Sequence, residues 1–388
     1  MTLKLLFTGD LYLSQIVTVS KKVKEVFSET TYNISNLEAP FLIKDDRKKY
    51  QKAGPTIFQN INCIKQLIDL KINYVSGANN HIMDFGIDGL KDTKKILNEN
   101  KIKFGGFGFN LEEASQSMEI NEIISLICVG EEEFGVAEDD KPGIFSMYKK
   151  NIEKKILDLK KQNKFIIIYA HGGGEEVPLP SKYIMERYRS FIDLGADLVI
   201  GHHPHVIQGY ERYNHKMIFY SIGNFIHSSY KKSLGVLLKI KLSDNNNYEY
   251  KFIPIIVKNN KVDLLTDKNK KKSLNSYLNE VNKIISNKFI YDAVYQEQAL
   301  YMYKSYYKNY LENLFWNIKP RIKNFFRSFI SLSNKNFKEL FFLHLIRNNS
   351  HRFFIEEALK IKTGEIQEKR NKDSHIKFQK LINFIASD

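Results

Sequence analysis

Cysteine is nearly missing from this chain: Cys63 and Cys128 are the only two, both in apolar surroundings. That excludes a disulfide framework and a cysteine-based metal site, and it leads us to expect buried thiols in a reducing, cytoplasmic setting. No apolar run approaches the roughly 20 residues that span a bilayer. The opening MTLKLLFTGD has too short an apolar run for a signal-peptide core and no small-residue cleavage site, so it reads as a first strand. There is no G-x-x-x-x-G-K-[ST] loop and no G-x-S-x-G elbow, which leaves P-loop nucleotide binding and serine hydrolysis unsupported. Gly105–Asn110 (GGFGFN) lacks dinucleotide-loop spacing and reads as a tight turn.

What is present is 388 residues, 43% hydrophobic, with a net charge of +15. The charge is concentrated: from Lys268 to the end there are 23 Lys and Arg against 11 Asp and Glu. Upstream, short apolar runs alternate with helix-period segments, the pattern of an α/β fold whose sites form at the C-terminal ends of strands. Strands are expected at Leu3–Phe7, Tyr32–Asn36, Tyr74–Ser76, Ile123–Val129, Phe165–Ala170, Leu198–Ile200 and Met217–Ile222. Ile16–Phe27 is expected to be helical. Gly235–Leu242 and Tyr248–Val257, with a turn at Asp244–Asn247, read as a hairpin closing one sheet edge. Asp45–Lys52 and Glu131–Glu133 read as solvated charged loops.

The boundary falls in the charged run at 267–272, dividing residues 1–267 from a basic, aromatic-rich helical region, 268–388. That region favours anionic partners, such as a membrane surface, a polyanionic polymer or a biosynthetic complex. Ile318–Ile330, with Phe325, Phe326 and Phe329 among basic residues, suits an anionic membrane, although packing onto the first domain explains the same aromatics. No nucleic-acid-binding motif accompanies the charge, so nucleic acid is not an expected partner.

Polar residues follow the strands in order: Asp10, Asn36 and Glu38, Asn80 and His81, His171, then His202, His203 and His205. Each has an ordinary explanation by itself, as a turn residue, a cap or a core histidine. Together they are carboxylate, amide and imidazole groups suited to a pair of divalent cations of Mn, Fe or Zn type. Two such cations about 4 Å apart share a carboxylate and activate water, and a neighbouring histidine outside the ligand set protonates a leaving oxygen.

FTGD, SNLEAP, AGPTIF, GANNHIMDFGIDGL, AHGGGEE, GADLVIGHHPHVIQGYE and FYSIGNF, in that order, resemble the capsule-biosynthesis (CapA, poly-γ-glutamate synthesis) family, a branch of the calcineurin-like metallophosphatases. The resemblance covers roughly residues 1–260. It implies a four-layer α/β/β/α metallophosphatase-like sandwich, here with a helical C-terminal extension. Matched by motif, it makes Asp10, Glu38, Asn80, His171, His203 and His205 metal ligands and His81 the general acid. Asn36, His202 and Asn224 would orient ligands or substrate, with His-x-His spacing favouring His203 over His202 as the ligand. Two departures stand out. Well-known members are exported or membrane-anchored, and the first-strand Asp-x-His of ordinary metallophosphatases is replaced by Asp10-Leu11-Tyr12. The expected activity is metal-dependent hydrolysis of phosphoester type, on an anionic small molecule or polymer in capsule or surface-polymer synthesis. The alternative is a non-hydrolytic assembly or binding protein on the same scaffold.

Overall fold

The computed structural model describes residues 3–44, 46–243, 247–308 and 337–387. The Leu3–Tyr12 strand lies inside a nine-stranded sheet. On one side follow the parallel strands Tyr32–Leu37, Ile72–Ser76 and Lys103–Gly105. On the other comes the antiparallel hairpin Lys232–Leu242 and Tyr248–Lys258, and then Lys261–Leu264 and Thr18–Val19. Asn224–His227 also pairs with the end of Leu3–Tyr12, in parallel. The second sheet has six strands, with Ile124–Gly130, Phe165–His171, Leu198–His202 and Lys216–Phe219 running parallel at its centre.

Side-chain alternation along the strands sorts the layers. Leu5, Phe7, Ile34 and Tyr74 face the second sheet and share its core. Leu6, Leu37 and Val75 point the other way, onto Val23, Phe27, Leu67 and Leu90 of the helices Lys21–Ser28, Ile64–Asp69 and Gly86–Glu99. The far face of the second sheet is covered by Lys150–Lys161 and Lys182–Asp193, through residues such as Ile156 and Tyr188. The result is a helix–sheet–sheet–helix sandwich in which both sheets end at one rim.

Two sequence expectations are corrected. The hairpin forms in full register but does not close an edge, because Lys261–Leu264 pairs outside it and Thr18–Val19 is the last strand. The expected helix from Ile16 starts only at Lys21: Val19 pairs with Val262, and the Ser20 hydroxyl caps the helix by accepting from the Val23 N–H. Most of the hairpin turn (244–246), the Ile318–Ile330 segment and the end of the helix expected over Tyr291–Phe315 lie outside the described residues.

Beyond Asp267, which caps it, a helix runs Lys268–Ser286, followed by Lys288–Met302 and a π-helical turn, Tyr303–Tyr307. Helices Phe337–Arg347, Asn349–Thr363 and Lys372–Ser387 follow. Val281, Ile285, Tyr295, Phe354 and Leu381 join the core of the sandwich. Among the described residues, no helix is long and apolar enough to cross a membrane.

Candidate metal centre

Six of the chain's ten histidines gather at the shared rim of the two sheets. Backbone geometry places the first carboxylate there. Gly9 lies so close to the Asn224 strand that a Cβ would fall 1.6 Å from the Gly223 carbonyl oxygen, so only glycine lets Asp10 meet Asn224 in register. At the ends of Phe165–His171 and Leu198–His202, His171 and His202 are likewise register partners. After His202 the chain turns sharply, with φ +104° at His203 and +60° at His205. Such left-handed conformations cost a non-glycine residue on the order of 1–3 kcal/mol and are held by their surroundings. Here the His203 N–H donates to Asp10 Oδ2 at 3.0 Å.

Asp10 is fully buried and surrounded by donors. Asn36 Nδ2 donates to its Oδ1 at 2.8 Å, and the Nδ1 atoms of His202 and His205 lie 3.1 and 3.4 Å from its two oxygens. Glu38, equally buried, has no hydrogen-bond partner on either oxygen among the described residues. Imidazoles face it from three directions: His171 Nε2 at 3.9 Å, His205 Nε2 at 3.7 Å and His227 Nε2 at 3.5 Å. Three buried groups have ligand atoms mutually within 4.8 Å: Asp10–His171–His202, Glu38–His171–His203 and Glu38–His205–His227. The exposed Glu175 forms a fourth with His203 and His205.

Every residue expected from sequence lies in this cluster or against it. Asn80 Oδ1 is 3.1 Å from His171 Nε2, and Asn224 Oδ1 is 3.0 Å from His205 Nδ1. His202, read from sequence as a substrate-side residue, stands with Asp10 and His171, while His203 stands with Glu38. His81 belongs to none of the four groups; its Nδ1 is 2.7 Å from Asp84 Oδ2 and 3.1 Å from Lys52 Nζ. Asn79 organises the loop before it. Its Oδ1 accepts from the His81 and Ile82 N–H groups, and its Nδ2 donates to Asn36 Oδ1 at 3.1 Å.

The electrostatics separate the two carboxyls. Burial would raise Asp10, but hydrogen bonds from His171, His202 and His205 hold it well below the usual carboxylate range. Burial and the neighbouring Asp10 charge drive Glu38 well above that range. Burial would lower His205, yet Glu38 and Asp10 bring it up to about 10. His171 is pushed down to about 3, chiefly by burial. Two carboxylates and several imidazoles are desolvated together here, a donor set that could hold a divalent cation in place of the His205 proton.

Three features were not legible in the sequence. His227 was missed altogether. Lys52, expected in an exposed loop, is buried and ion-paired with Asp84, because that loop folds back over His81. Glu131 and Glu133, expected to be solvated, are also buried. Glu131 accepts from the Gly173 N–H at 2.9 Å and from the Ser350 hydroxyl, and Glu133 Oε1 lies 3.2 Å from His344 Nδ1. The covering residues come from helices more than 200 positions downstream, which no local signal reveals.

The fold is a four-layer α/β sandwich with a buried carboxylate–imidazole cluster at its rim that could hold metal ions. The family follows from comparison. The chain belongs to the bacterial capsule synthesis protein family PGA_cap, whose model matches residues 4–229. It is 26% identical over 269 residues to the PGA biosynthesis protein CapA of Bacillus subtilis (strain 168), covering 64% of this chain and 70% of that one. It is 28% identical over 250 residues to the capsule biosynthesis protein CapA of Bacillus anthracis, covering 61% of each chain. A probable polyglutamine synthesis accessory protein of Mycobacterium tuberculosis matches at 26% over 198 residues, 45% of this chain and 52% of its own. The basic helices after Lys268 lie beyond the family match.

Proposed function

We propose that this protein is a divalent-metal-dependent hydrolase of phosphoester type, acting in capsule or surface-polymer synthesis. The observation that carries the reading is Glu38: both oxygens are buried, neither has a hydrogen-bond partner among the described residues, and three imidazoles face them. A bridging ligand between two cations needs that environment. Asp10, His171 and His202 would hold one cation, and Glu38, His205 and His227 the other, with His203 and Asn80 adjoining.

When bound, the cations would supply an acidified water and positive charge against phosphoryl oxygens. The chain's own residues do the rest. Asp84, itself paired with Lys52, accepts from His81 Nδ1 and fixes the ring, leaving its other nitrogen to pass a proton to the leaving oxygen. Asn224 Nδ2, buried without a partner among the described residues, is a donor for an anionic oxygen.

The test is turnover of a simple phosphomonoester or phosphodiester with manganese. Asp10→Ala should abolish it, and His81→Ala should lower it about 10²–10⁴-fold, the usual share of general acid catalysis. Equal turnover by all three proteins would refute the proposal. Cation binding without turnover would leave the binding-protein alternative.

A further inference from the structure

Two cavities adjoin the metal centre, and both are completed by the helices that follow Lys268. One, of about 220 Å³, is reached from His203, with Met302, Phe341 and Leu345 as well as His344, Asn348 and His351 in its wall. The other, of about 270 Å³, begins at His205 and is the larger of these two. Ile207 and Leu234 of the sandwich form one side of it, and Tyr277, Ile382, Phe384 and Ile385 of the helices form the other. Tyr277 spends its hydroxyl on the Ile207 carbonyl at 2.9 Å and stacks on Phe384 with ring centroids 4.3 Å apart, so these rings offer carbon faces. Polar groups collect at the metal end: the Tyr230 ring lies 5.4 Å from that of His205, and its hydroxyl donates to Glu176 Oε1 at 3.2 Å.

From this arrangement, and resting on the phosphoesterase reading above, we infer that the substrate is amphiphilic: a phosphoester whose head sits at the histidines and whose apolar chain enters the His205 cavity. Lys232 and Ser233 are on the wall and can meet a single anionic group, but the remaining carbon faces suit a hydrocarbon chain better than the repeated carboxylates of an anionic polymer, whose desolvation they do not offset. The volume is just under the usual range for small-molecule sites, which suits one slender hydrocarbon chain better than a branched or bulky group. The C-terminal helices, outside the family match, thereby act as the specificity element of this chain.

The experiment is calorimetric titration of the full-length, manganese-loaded protein with alkylphosphonates, which cannot be hydrolysed at phosphorus, from methyl to octyl. Affinity should rise about fourfold per added methylene, the transfer value for hydrocarbon, until the cavity is full. Ala386→Trp, at the exposed end of the last helix and on the cavity wall, should flatten that rise. Equal affinity for the methyl and octyl compounds would overturn the inference while leaving the phosphoesterase reading in place. That is also the outcome expected if another segment or a partner protein fills the cavity. Failure to bind any phosphonate, with manganese bound, would overturn both.

Discussion

Tyr12 and His227 are register partners on neighbouring parallel strands, with ring centroids 5.2 Å apart. Tyr12 stands two residues after Asp10, and the His227 imidazole, from the adjoining strand, lies 3.5 Å from Glu38. His227→Ala should therefore weaken the second cation's binding tenfold or more, since even outer partners of metal ligands are worth about 10–100-fold. Competition titration with a chromogenic chelator reads this directly. Unchanged affinity at both positions would remove His227 from the ligand set.

The bulge in that strand explains why His227 was hidden. Asp10 pairs with Asn224, but Leu11 pairs with Ile226, so Phe225 is the extra residue. By strict alternation Asn224 and His227, three apart, belong on opposite faces; the bulge re-aims the second of them toward the site. By contrast, Asp10, Glu38 and His171 were legible because each stands at the end of an apolar run, where strand alternation and the α/β pattern already locate a site. The layers themselves were legible for the same reason. What eluded sequence was burial by distant elements. Lys52 looks like part of a charged run until the loop closes over Asp84. Glu131 looks solvated until Ser350 reaches it.

Lys52 and Asp84 form a buried ion pair beside His81. Burial first, and then the Lys52 charge, lower the His81 pKa, while Asp84 raises it. Lys52→Met removes the repulsion and keeps the carboxylate, so His81 should hold its proton to higher pH. An NMR titration of the His81 ring in metal-free protein should show the midpoint moving up. The same variant takes away the Lys52 partner of Asp84 and leaves it the His81 ring and the Ile57 N–H, so stability in urea denaturation should fall. A midpoint that stayed put or fell would mean that Lys52 does not tune this histidine.

Glu131 ties the loop after His171 to the C-terminal helices through Gly173 and Ser350. Burial pushes its carboxyl up to about 7 from an ordinary value of 4.5. The folded state therefore holds this proton where the unfolded state releases it. Its contribution to stability is level below pH 4.5, falls as pH rises to about 7, and is level again above. The span is about 3 kcal/mol. Glu131→Gln removes the titration, so wild type minus variant stability, measured at pH 4.5 and at pH 8, should drop over that interval. A difference independent of pH would contradict the assignment.

On the reading proposed above, this rim would hold two divalent cations, with Asp10 and Glu38 among the residues that hold them. Elemental analysis of the full-length protein, loaded with manganese at neutral pH and freed of excess ion, tests it most directly. The account predicts two ions per chain in the wild type and a clear loss in Asp10→Ala and in Glu38→Ala. A folded wild-type protein that retained no ion, or variants that retained two, would contradict it.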